Sequence, residues 1–315
     1  MTESPGRGPV VLAVDIGGTK LAAGIVTVDG DLIDHRQVAT EVPSSGDLAG
    51  ERVGDRSDGE RLLAVLVDLI ADVRRASRDR GEPAPVVCGV GCGGPMTAGG
   101  EAVSPLNIPA WSAFPLRSRL EAAVGVATFV DNDAKALALA EGWRGAAVGQ
   151  RHYLGMVVST GVGGGIVLDG RLLDGAEGNA GHIGHITVEP GGRRCRCGNR
   201  GCLEAEASGT AIAAVTGRPP AEAGPDVVAR TGMLVGRAVA TAATLLDLRL
   251  AIVAGSVALG YGAPFFAAAQ AEIAERARLD YTRGCTIRPA ALGSRGALVG
   301  AAAVGLRGIE EAPQH

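Results

Sequence analysis

The chain has 315 residues, a formal net charge of −4 at pH 7 and a hydrophobic fraction of 46%. This length is sufficient for two domains with cores of their own, and the composition excludes an intrinsically disordered protein. The acidic balance offers no basic footprint for nucleic acid. Apolar runs at residues 10–14 and 62–70 are too short to span a membrane, and the second contains Asp68. We therefore expect a globular, cytoplasmic protein without nucleic-acid or membrane partners.

The first half of the chain begins with a predicted strand meander after a polar tail at residues 1–9. Its three apolar runs lie at residues 10–15, 21–28 and 31–38. The last two are joined by Asp29-Gly30, a strong hairpin signal. Residues 41–59 predict a loop, and leucines at helical spacing predict a helix over 62–73 with Asp58 as its N-cap. The elements predicted after it are a strand at 86–90, a helix at 114–124, a strand at 127–130 and a helix at 134–143.

The same order of signals restarts in the second half. It contains a strand at 153–159, a glycine turn at 161–165, a strand at 166–168 and the hairpin signal Asp169-Gly170. Each half thus has a strand, a glycine turn, a strand and an Asp-Gly hairpin, which indicates a duplicated unit. The later predicted elements are helices near 208–215 and 231–247, a strand at 250–253, and helices near 264–278 and 297–306. Alternating strands and helices predict an α/β fold.

A candidate phosphate-binding turn follows the first predicted strand, in the sequence Asp15-Ile16-Gly17-Gly18-Thr19-Lys20. Glycines allow the backbone to approach a phosphate closely and to direct its N–H groups at it. Thr19 and Lys20 offer further donors, and Asp15 is suited to hold Mg²⁺ through water. The alternative is an ordinary Gly-Gly hairpin. This is not a Walker A loop, because the Gly-Lys-Ser/Thr ending is absent.

Three more glycine-rich stretches follow predicted strands. The second candidate phosphate turn is the sequence Ser159-Thr160-Gly161-Val162-Gly163-Gly164-Gly165, and Gly255 forms a turn suited to adenosine. The stretch at 89–94 matches a dinucleotide fingerprint in form, but Pro95 follows where a helix should begin. We interpret 89–94 as a tight loop lining a substrate. Two phosphate turns on two repeated units favour a nucleotide in a cleft between domains.

A carboxylate lies between a predicted strand and a predicted helix. Asp133 is preceded by Asn132, and the simplest interpretation is that Asp133 caps the helix. The functional alternative is a general base for an attacking hydroxyl. Phosphoryl transfer needs little covalent help from the protein, so one carboxylate against the attacking oxygen suffices. Asn132 is placed to hold a neighbouring sugar hydroxyl.

The most specific local signal is a cluster of potential metal ligands. Three cysteines and one histidine make the Cys₃His set that is typical of closed structural zinc sites, and they are His185, Cys195, Cys197 and Cys202. Glu204 lies two residues beyond the last ligand, and His182 precedes the first by three. A zinc ion here is therefore expected to fix both polar side chains as well as the loop.

Together these motifs resemble the ROK family of repressors, open reading frames and sugar kinases. The matching segments lie at residues 15–20, 132–133, 159–165, 178–185 and 195–204. The resemblance implies a hexokinase–actin-like fold, with two ribonuclease-H-like domains around a cleft. The implied small domain comprises residues 1–130 plus 297–315, and the larger one, with the zinc loop, comprises residues 131–296. It also implies ATP with Mg²⁺, transfer to a sugar 6-hydroxyl, and a homodimer or homotetramer.

By the same resemblance, Asp133 matches the catalytic base, and the sugar contacts are Asn107, Asn132, His185 and Glu204. His182 departs from the family pattern, since most of the family's glucokinases have Glu at this position. A carboxylate only accepts hydrogen bonds, whereas neutral imidazole offers one donor and one acceptor. A histidine here resembles N-acetylmannosamine kinases, and related kinases act on amino sugars of antibiotic pathways. Glucose, N-acetylmannosamine and kanosamine all stay open, with a slight preference for an amino-hexose.

Two other classes of function compete with a kinase. The ROK family includes sugar-sensing repressors, but these need a helix-turn-helix domain before the first glycine turn, and only fourteen residues precede Asp15 here. A non-catalytic binding module would be favoured if Asp133 were missing, and it is present. We therefore expect an enzyme rather than a repressor or a binding module.

Overall fold

A computed structural model describes residues 8–40 and 56–312. The chain forms two compact units. The N-terminal unit comprises Met1–Ala136, Asp174–Asn179 and Ser294–His315, and the C-terminal unit comprises Leu137–Leu173 and Ala180–Gly293. The expected division at residues 130 and 296 assigned residues 131–136 and 174–179 to the larger domain. In the structure both stretches belong to the N-terminal unit.

The N-terminal unit is built on a five-stranded mixed sheet of order β3-β2-β1-β4-β5. Its strands are β1 (Val10–Ile16), β2 (Lys20–Thr27), β3 (Leu32–Ala39), β4 (Pro85–Cys92) and β5 (Thr128–Asn132). The first three strands are antiparallel, and β4 and β5 continue parallel to β1. Every residue of β1 is buried, as expected for a central strand covered on both faces. The carboxyl ends of β1, β4 and β5 therefore lie at one edge of this sheet.

Three helices pack in this unit, namely α1 (Arg56–Asp79), α2 (Leu116–Val124) and α9 (Gly296–Glu311). Helix α9 approaches β4 so closely that a Cβ atom on Gly89 would lie 1.9 Å from the carbonyl oxygen of Ala301. Only glycine permits such a contact between a strand and a helix backbone. The buried Trp111 stacks on Phe114 and donates its indole N–H to the Gly59 carbonyl at 3.0 Å, which closes the core under α1.

The C-terminal unit repeats the same topology with the sheet order β10-β9-β6-β7-β8. Its strands are β6 (Tyr153–Val158), β7 (Val162–Leu168), β8 (Arg171–Leu172), β9 (Leu250–Ala254) and β10 (Thr286–Pro289). As in the first sheet, three antiparallel strands are followed by two that run parallel to the first of them. The duplication predicted from the glycine turns and Asp-Gly hairpins is confirmed at the level of strand order.

The remaining helices are α3 (Asp133–Arg144), α4 (Leu203–Ala207), α5 (Gly209–Thr216), α6 (Pro225–Leu246), α7 (Ser256–Tyr261) and α8 (Ala263–Arg276). Helix α6 buries a face of small and aliphatic residues, including Leu234, Val235 and Val239, in the core of the C-terminal unit. Within the described ranges, the structure has no helix with the combination of length and apolar character needed to cross a bilayer.

Several predicted boundaries are wrong, and each error has a local cause. The predicted loop at 41–59 and the tail at 1–9 fall partly outside the described residues, but α1 already begins at Arg56, so Asp58 lies in its first turn instead of capping it. The predicted turn at 161–165 is too long, because its last three glycines form part of β7. A Cβ on Gly164 would lie 2.9 Å from the Ile183 side chain, so packing rather than turn geometry requires glycine there.

Other errors concern whole elements. Helix α2 begins at Leu116 rather than residue 114, and α6 begins six residues before the predicted start, at Pro225. Proline is favoured in the first helical turn, but the apolar spacing becomes clear only farther along. The elements β10, α4 and α7 were not predicted at all. Each has six residues or fewer, which is too short for periodicity to identify.

Candidate functional site

The first glycine turn joins β1 to β2 within the N-terminal unit. The Gly17 N–H donates to the Lys20 carbonyl at 2.9 Å. Thr40, at the end of β3, donates its hydroxyl to the Gly17 carbonyl at 2.8 Å and its N–H to the Thr19 carbonyl at 3.0 Å. The carbonyls of Gly17, Thr19 and Lys20 in this turn thus accept hydrogen bonds from the protein itself. Such a closed turn can present backbone donors to a phosphate without rearranging.

Asn107 packs directly against this turn. A Cβ atom on Gly18 would lie 2.4 Å from the Asn107 side-chain nitrogen, and one on Gly93 would lie 3.6 Å from its side-chain oxygen. Glycine at position 18 is thus required by the close approach of a polar side chain. The structure brings together a predicted phosphate turn and a predicted sugar contact that are almost ninety residues apart in the sequence.

Two acidic residues, Asp15 and Asp133, lie close to Gly91 at the carboxyl edge of the first sheet. In the register, Asp15 is paired with Gly91 and Gly91 with Asp131, so β4 separates the ends of β1 and β5. A Cβ on Gly91 would lie 3.8 Å from Oδ1 of Asp15 and 3.6 Å from the Asp133 Cα. Glycine on the intervening strand leaves the space between the two acidic residues open.

The environment of Asp15 strongly disfavours its charged form. The residue is only 8% exposed. Burial, followed by the negative charge of Asp133, raises the pKa of Asp15 to about 7, although the Lys20 ammonium acts in the opposite direction. A divalent cation would supply the positive charge that this carboxylate lacks, so Asp15 is chemically suited to a magnesium–phosphate ligand.

The junction between β5 and α3 shows which residue caps the helix. Helix α3 begins at Asp133, so Asn132 occupies the N-cap position. The Asn132 side-chain oxygen accepts from the Ala134 N–H at 3.0 Å, and Oδ1 of Asp133 accepts from the same N–H at 2.8 Å. Capping, which the sequence left as an alternative role for Asp133, is therefore shared by the two side chains.

The second glycine turn, between β6 and β7, lies in the C-terminal unit. The Ser159 N–H donates to the Gly161 carbonyl at 2.9 Å. The Thr160 carbonyl accepts from the Thr210 hydroxyl at 2.9 Å, and the Ser159 carbonyl accepts from the Gly209 N–H at 2.7 Å. The turn is thereby fixed to the N-terminus of α5. Gly163, predicted as part of this turn, lies in β7 beyond it.

Gly255 forms a turn beside the second one. Its φ of +100° is in the region that favours glycine, and a Cβ there would lie 2.3 Å from the Val158 carbonyl oxygen. The hydroxyls of Ser159 and Ser256 are hydrogen bonded at 2.9 Å. The C-terminal unit thus gathers Thr160, Gly161 and Gly255 at the carboxyl ends of its parallel strands β6 and β9.

Glu204 makes a contact with this turn that the sequence did not predict. Its Oε2 atom accepts from the Val162 N–H at 3.0 Å, and a Cβ on Gly161 would lie 2.8 Å from the same oxygen. Cys202, a predicted metal ligand, immediately precedes α4, and Glu204 is the second residue of that helix. The hydrogen bond of Glu204 therefore connects the metal-ligand cluster to the glycine turn. No periodicity or motif indicates this pairing.

The four predicted metal ligands converge within the C-terminal unit. One ligand atom from each of His185, Cys195, Cys197 and Cys202 lies within 4.8 Å of the others. Cys195 Sγ is 3.6 Å from His185 Nδ1, and Cys197 Sγ is 3.6 Å from Cys202 Sγ. Ligands of a tetrahedral zinc are about 3.5–3.8 Å apart, given Zn–S and Zn–N bonds of about 2.3 and 2.0 Å. The donor set and its spacing therefore fit a four-coordinate ion.

The loop at residues 185–202, which we call the metal loop, carries these ligands. His182 and Glu206 contact residues of this loop. The His182 ring is stacked on the His185 ring, with centroids 6.2 Å apart. Buried Glu206 holds the metal loop through Arg193. Its carboxylate accepts a hydrogen bond from the Arg193 backbone N–H at 2.6 Å, and it forms ion pairs with the Arg193 and Arg230 side chains at 2.6 and 2.8 Å. The sequence did not single out Glu206, whose importance depends on partners from two other elements.

Comparison with known proteins decides the family. The model of the ROK family matches residues 11–307. The chain belongs to the ROK family. It is 37% identical over 266 residues to the N-acetylmannosamine kinase of Yersinia pseudotuberculosis, a match that covers 80% of this chain and 84% of that protein.

Two further relatives extend the comparison. The glucokinase of Thermotoga maritima is 37% identical over 204 residues, which cover 64% of this chain but only 58% of that protein. Among solved structures, the ROK family glucokinase from Streptomyces griseus in complex with glucose and AMPPNP superposes with a TM-score of 0.77 at 28% identity, covering 95% of this chain and all of that one. The ROK member therefore has the expected α/β, hexokinase–actin-like fold.

Proposed function

We propose that this ROK family member is an ATP-dependent sugar kinase that phosphorylates the 6-hydroxyl of a hexose or amino-hexose. The observation that carries the proposal is the arrangement at the edge of the first sheet. Asp15 and Asp133 flank Gly91 there, beside a closed glycine turn. One carboxylate next to a phosphate turn is suited to hold the metal ion, and a second at a helix N-terminus is suited to act as the base, which are two of the recurring parts of a phosphoryl-transfer site.

The proposed chemistry divides between these groups. Asp133 accepts the proton of the sugar hydroxyl as that oxygen attacks the γ-phosphorus, and ADP leaves on the opposite side. Magnesium bound with ATP would neutralise phosphate charge, and Asp15 would help to hold it. We propose that backbone donors of the two glycine turns bind phosphate oxygens, from Gly17, Gly18, Thr19 and Lys20 in one turn and from Thr160 and Gly161 in the other. Gly163, in β7 just beyond the second turn, is a further proposed phosphate contact. Gly255 lies under the adenosine.

The proposed sugar contacts are Asn107, Asn132, His182, His185 and Glu204. Of these, Asn107 packs on a glycine turn and Glu204 bonds to one, so both are held in place before any sugar arrives. An amino-hexose is favoured by His182, and the long alignment with an N-acetylmannosamine kinase supports it. Glucose is the alternative, supported by the likeness to two glucokinases.

A structural zinc completes the proposal. His185, Cys195, Cys197 and Cys202 would hold it, and it would fix the loop between His182, which precedes the first ligand, and Glu204, which follows the last one in α4. Zinc has no redox chemistry and favours a closed tetrahedral thiolate site, which suits a role in positioning. ATP and phosphorylated sugars are intracellular metabolites, so the proposal places the enzyme in the cytoplasm. We further propose a homodimer or a homotetramer, two states that light scattering would distinguish.

One assay tests the activity. The purified protein is incubated with ATP, Mg²⁺ and one sugar at a time from glucose, N-acetylmannosamine and kanosamine, and ADP release is followed against a sugar-free control. The expected result is sugar-dependent ADP release, with the product identified by ³¹P NMR as a 6-phosphate. Sugar-independent ADP release, or none with any monosaccharide although the metal is bound, would refute the proposal.

A further inference from the structure

A buried lysine lies two residues beyond the proposed base. Lys135 is in the first turn of α3 and is 1% exposed. Its ammonium lies 2.9 Å from an oxygen of Asp131, 2.9 Å from an oxygen of Asp174 and 3.1 Å from the Gly178 carbonyl. All three N–H donors of the ammonium thus have an acceptor. A lysine is rarely buried in this way unless it is paired, and packing alone would be served as well by an apolar side chain.

Two of these acceptors belong to the segment Asp174–Asn179, which we call the bridging segment. It is part of the N-terminal unit, although the chain on either side of it belongs to the C-terminal unit. Asp174 also pairs with Arg307. At the other end, Asn179 accepts from the Met96 N–H at 3.2 Å and donates to the Met96 carbonyl at 2.8 Å. Lys135 therefore contacts both the first and the next-to-last residue of the segment.

The third acceptor belongs to the junction that carries the proposed base. Asp131 lies at the end of β5, where its Oδ1 also accepts from the Asn132 N–H at 2.7 Å. The same oxygen that bonds to Lys135 thus orients the backbone immediately before Asp133. On the other side, the bridging segment continues through Ala180 and Gly181 into His182, in the stretch that holds proposed sugar contacts.

We propose that Lys135 is a positioning residue for phosphoryl transfer. Its ammonium fixes the bridging segment, from which the chain continues to His182, to the β5–α3 junction that bears Asn132 and Asp133. The inference rests on the proposed kinase function. Lys135 acts through other residues, because its ammonium is buried and its donors are already engaged. Misplacement of reacting groups by about 1 Å can reduce a rate by about 10²-fold, which sets the expected effect.

A cavity beside Lys135 makes a charge-specific test feasible. It has a volume of about 370 Å³, and its lining includes Lys135, Asp174 and Gly178. The exposed residues Ala98 and Gly99 also line it, so small solutes can enter. Truncation of Lys135 to alanine removes a group with the shape of propylamine, and propylammonium added to the buffer can occupy that space and restore the lost charge.

The main experiment measures steady-state kinetics of Lys135→Ala, with Arg119→Ala as the control. The Arg119→Ala variant also removes one cationic side chain, but from an exposed ion pair with Glu60, and it should leave the kinetics unchanged. In Lys135→Ala we expect kcat/KM for the sugar to fall about 10²-fold, with KM for the sugar raised and the AMP-PNP Kd unchanged within about twofold. Propylammonium should restore at least a tenth of the lost rate, whereas propanol and tetramethylammonium should not.

A second variant keeps the test decisive if Lys135→Ala does not fold. Asp174→Asn removes a half-exposed carboxylate and leaves the Lys135–Asp131 pair intact. It should raise KM for the sugar and increase hydrogen–deuterium exchange across residues 174–181. Unchanged kinetics in both folded variants, or a defect in Lys135→Ala that no amine relieves alongside a normal Asp174→Asn, would overturn the inference. Failure of the kinase proposal is distinct, because the wild type itself would then use no sugar.

Discussion

The two sheets have the same strand order, but the turns after their first strands carry different chemistry. In the N-terminal unit, β1 brings Asp15 to the edge and the turn ends in Lys20. In the C-terminal unit, the registers of the two hairpins place Val157 where the first has Asp15, and the turn contributes hydroxyls and backbone N–H groups. Duplication thus supplied two similar scaffolds, and the ionisable groups proposed for the reaction lie on one of them.

The second difference between the units is what the chain inserts after the third strand. Helix α1 follows β3 in the N-terminal unit, whereas the metal loop and α4–α6 follow β8 in the C-terminal unit. The loop carries the four converging candidate metal ligands, and it is held by Glu206 and, through Glu204, by the glycine turn. The comparison therefore predicts that loss of a charge in the N-terminal unit affects the rate, and loss of the metal affects binding.

The largest expected effect is that of Asp133→Ala. Removal of a general base typically costs about 10²–10⁴-fold in rate, so we expect kcat to fall by that factor. The AMP-PNP Kd, measured by calorimetry, should change little. Asp72→Ala, an exposed change on α1, is the matched control. Normal turnover in Asp133→Ala would show that the carboxylates of the N-terminal unit do not carry the chemistry.

Cys197→Ser tests the metal loop. Cys197 is the exposed ligand, so the change removes a thiolate without disturbing the core. Bound zinc should fall from one ion per chain towards none, the melting temperature should drop by about 5 °C or more, and sugar affinity should weaken. Arg196→Ala, beside it in the sequence, is the control. Unaltered sugar affinity in a zinc-free protein would separate the metal from the sugar site.

His182→Glu examines sugar choice within the C-terminal unit. Replacing a donor and acceptor by two acceptors should shift the ratio of kcat/KM values for glucose and the amino-hexose towards glucose by about tenfold, which corresponds to about 1.4 kcal/mol. Competition between the two sugars in one reaction measures this ratio directly. An unchanged ratio would mean that His182 does not select the substrate.

The smallest expected effect is on thermal stability, and it concerns Asp15, the position at which the two sheets differ. Because the pKa of Asp15 is raised from 3.8 to about 7, its neutral form is favoured on folding. The associated stability is present below pH 4 and is lost as the pH rises through 7. Asp15→Asn should therefore melt a few degrees above the wild type at pH 8 without added magnesium, and the difference should shrink towards pH 5.

Fluorimetric melting curves from pH 5 to 8 test this prediction. Asp72→Asn, a change of an exposed side chain on α1, should show no difference from the wild type at any pH. A difference between Asp15→Asn and the wild type that does not vary with pH would show that burial of Asp15 does not affect its ionisation.

Much of the fold was predictable because its signals are local. Apolar runs ending in Asp-Gly or Gly-Gly identified the two strand meanders, and the repetition of this order predicted the common topology. The metal cluster was also predictable, since three of its four ligands lie within eight residues. The error at 163–165 arose because packing, rather than turn geometry, requires glycine there, and the late start predicted for α6 arose because its first residues lack the apolar spacing.

By itself, the sequence determined the residue types of the candidate site, the duplicated meander and the Cys₃His set, because these depend on neighbours in the chain. Only the tertiary structure decided that Glu204 bonds to the Val162 N–H, that Glu206 holds the metal loop with two arginines, and that Lys135 joins Asp131 to Asp174. These contacts join residues as many as forty-two positions apart. A buried charge is stable only where the fold brings it a partner, and the amino-acid sequence alone does not show which residue that partner is.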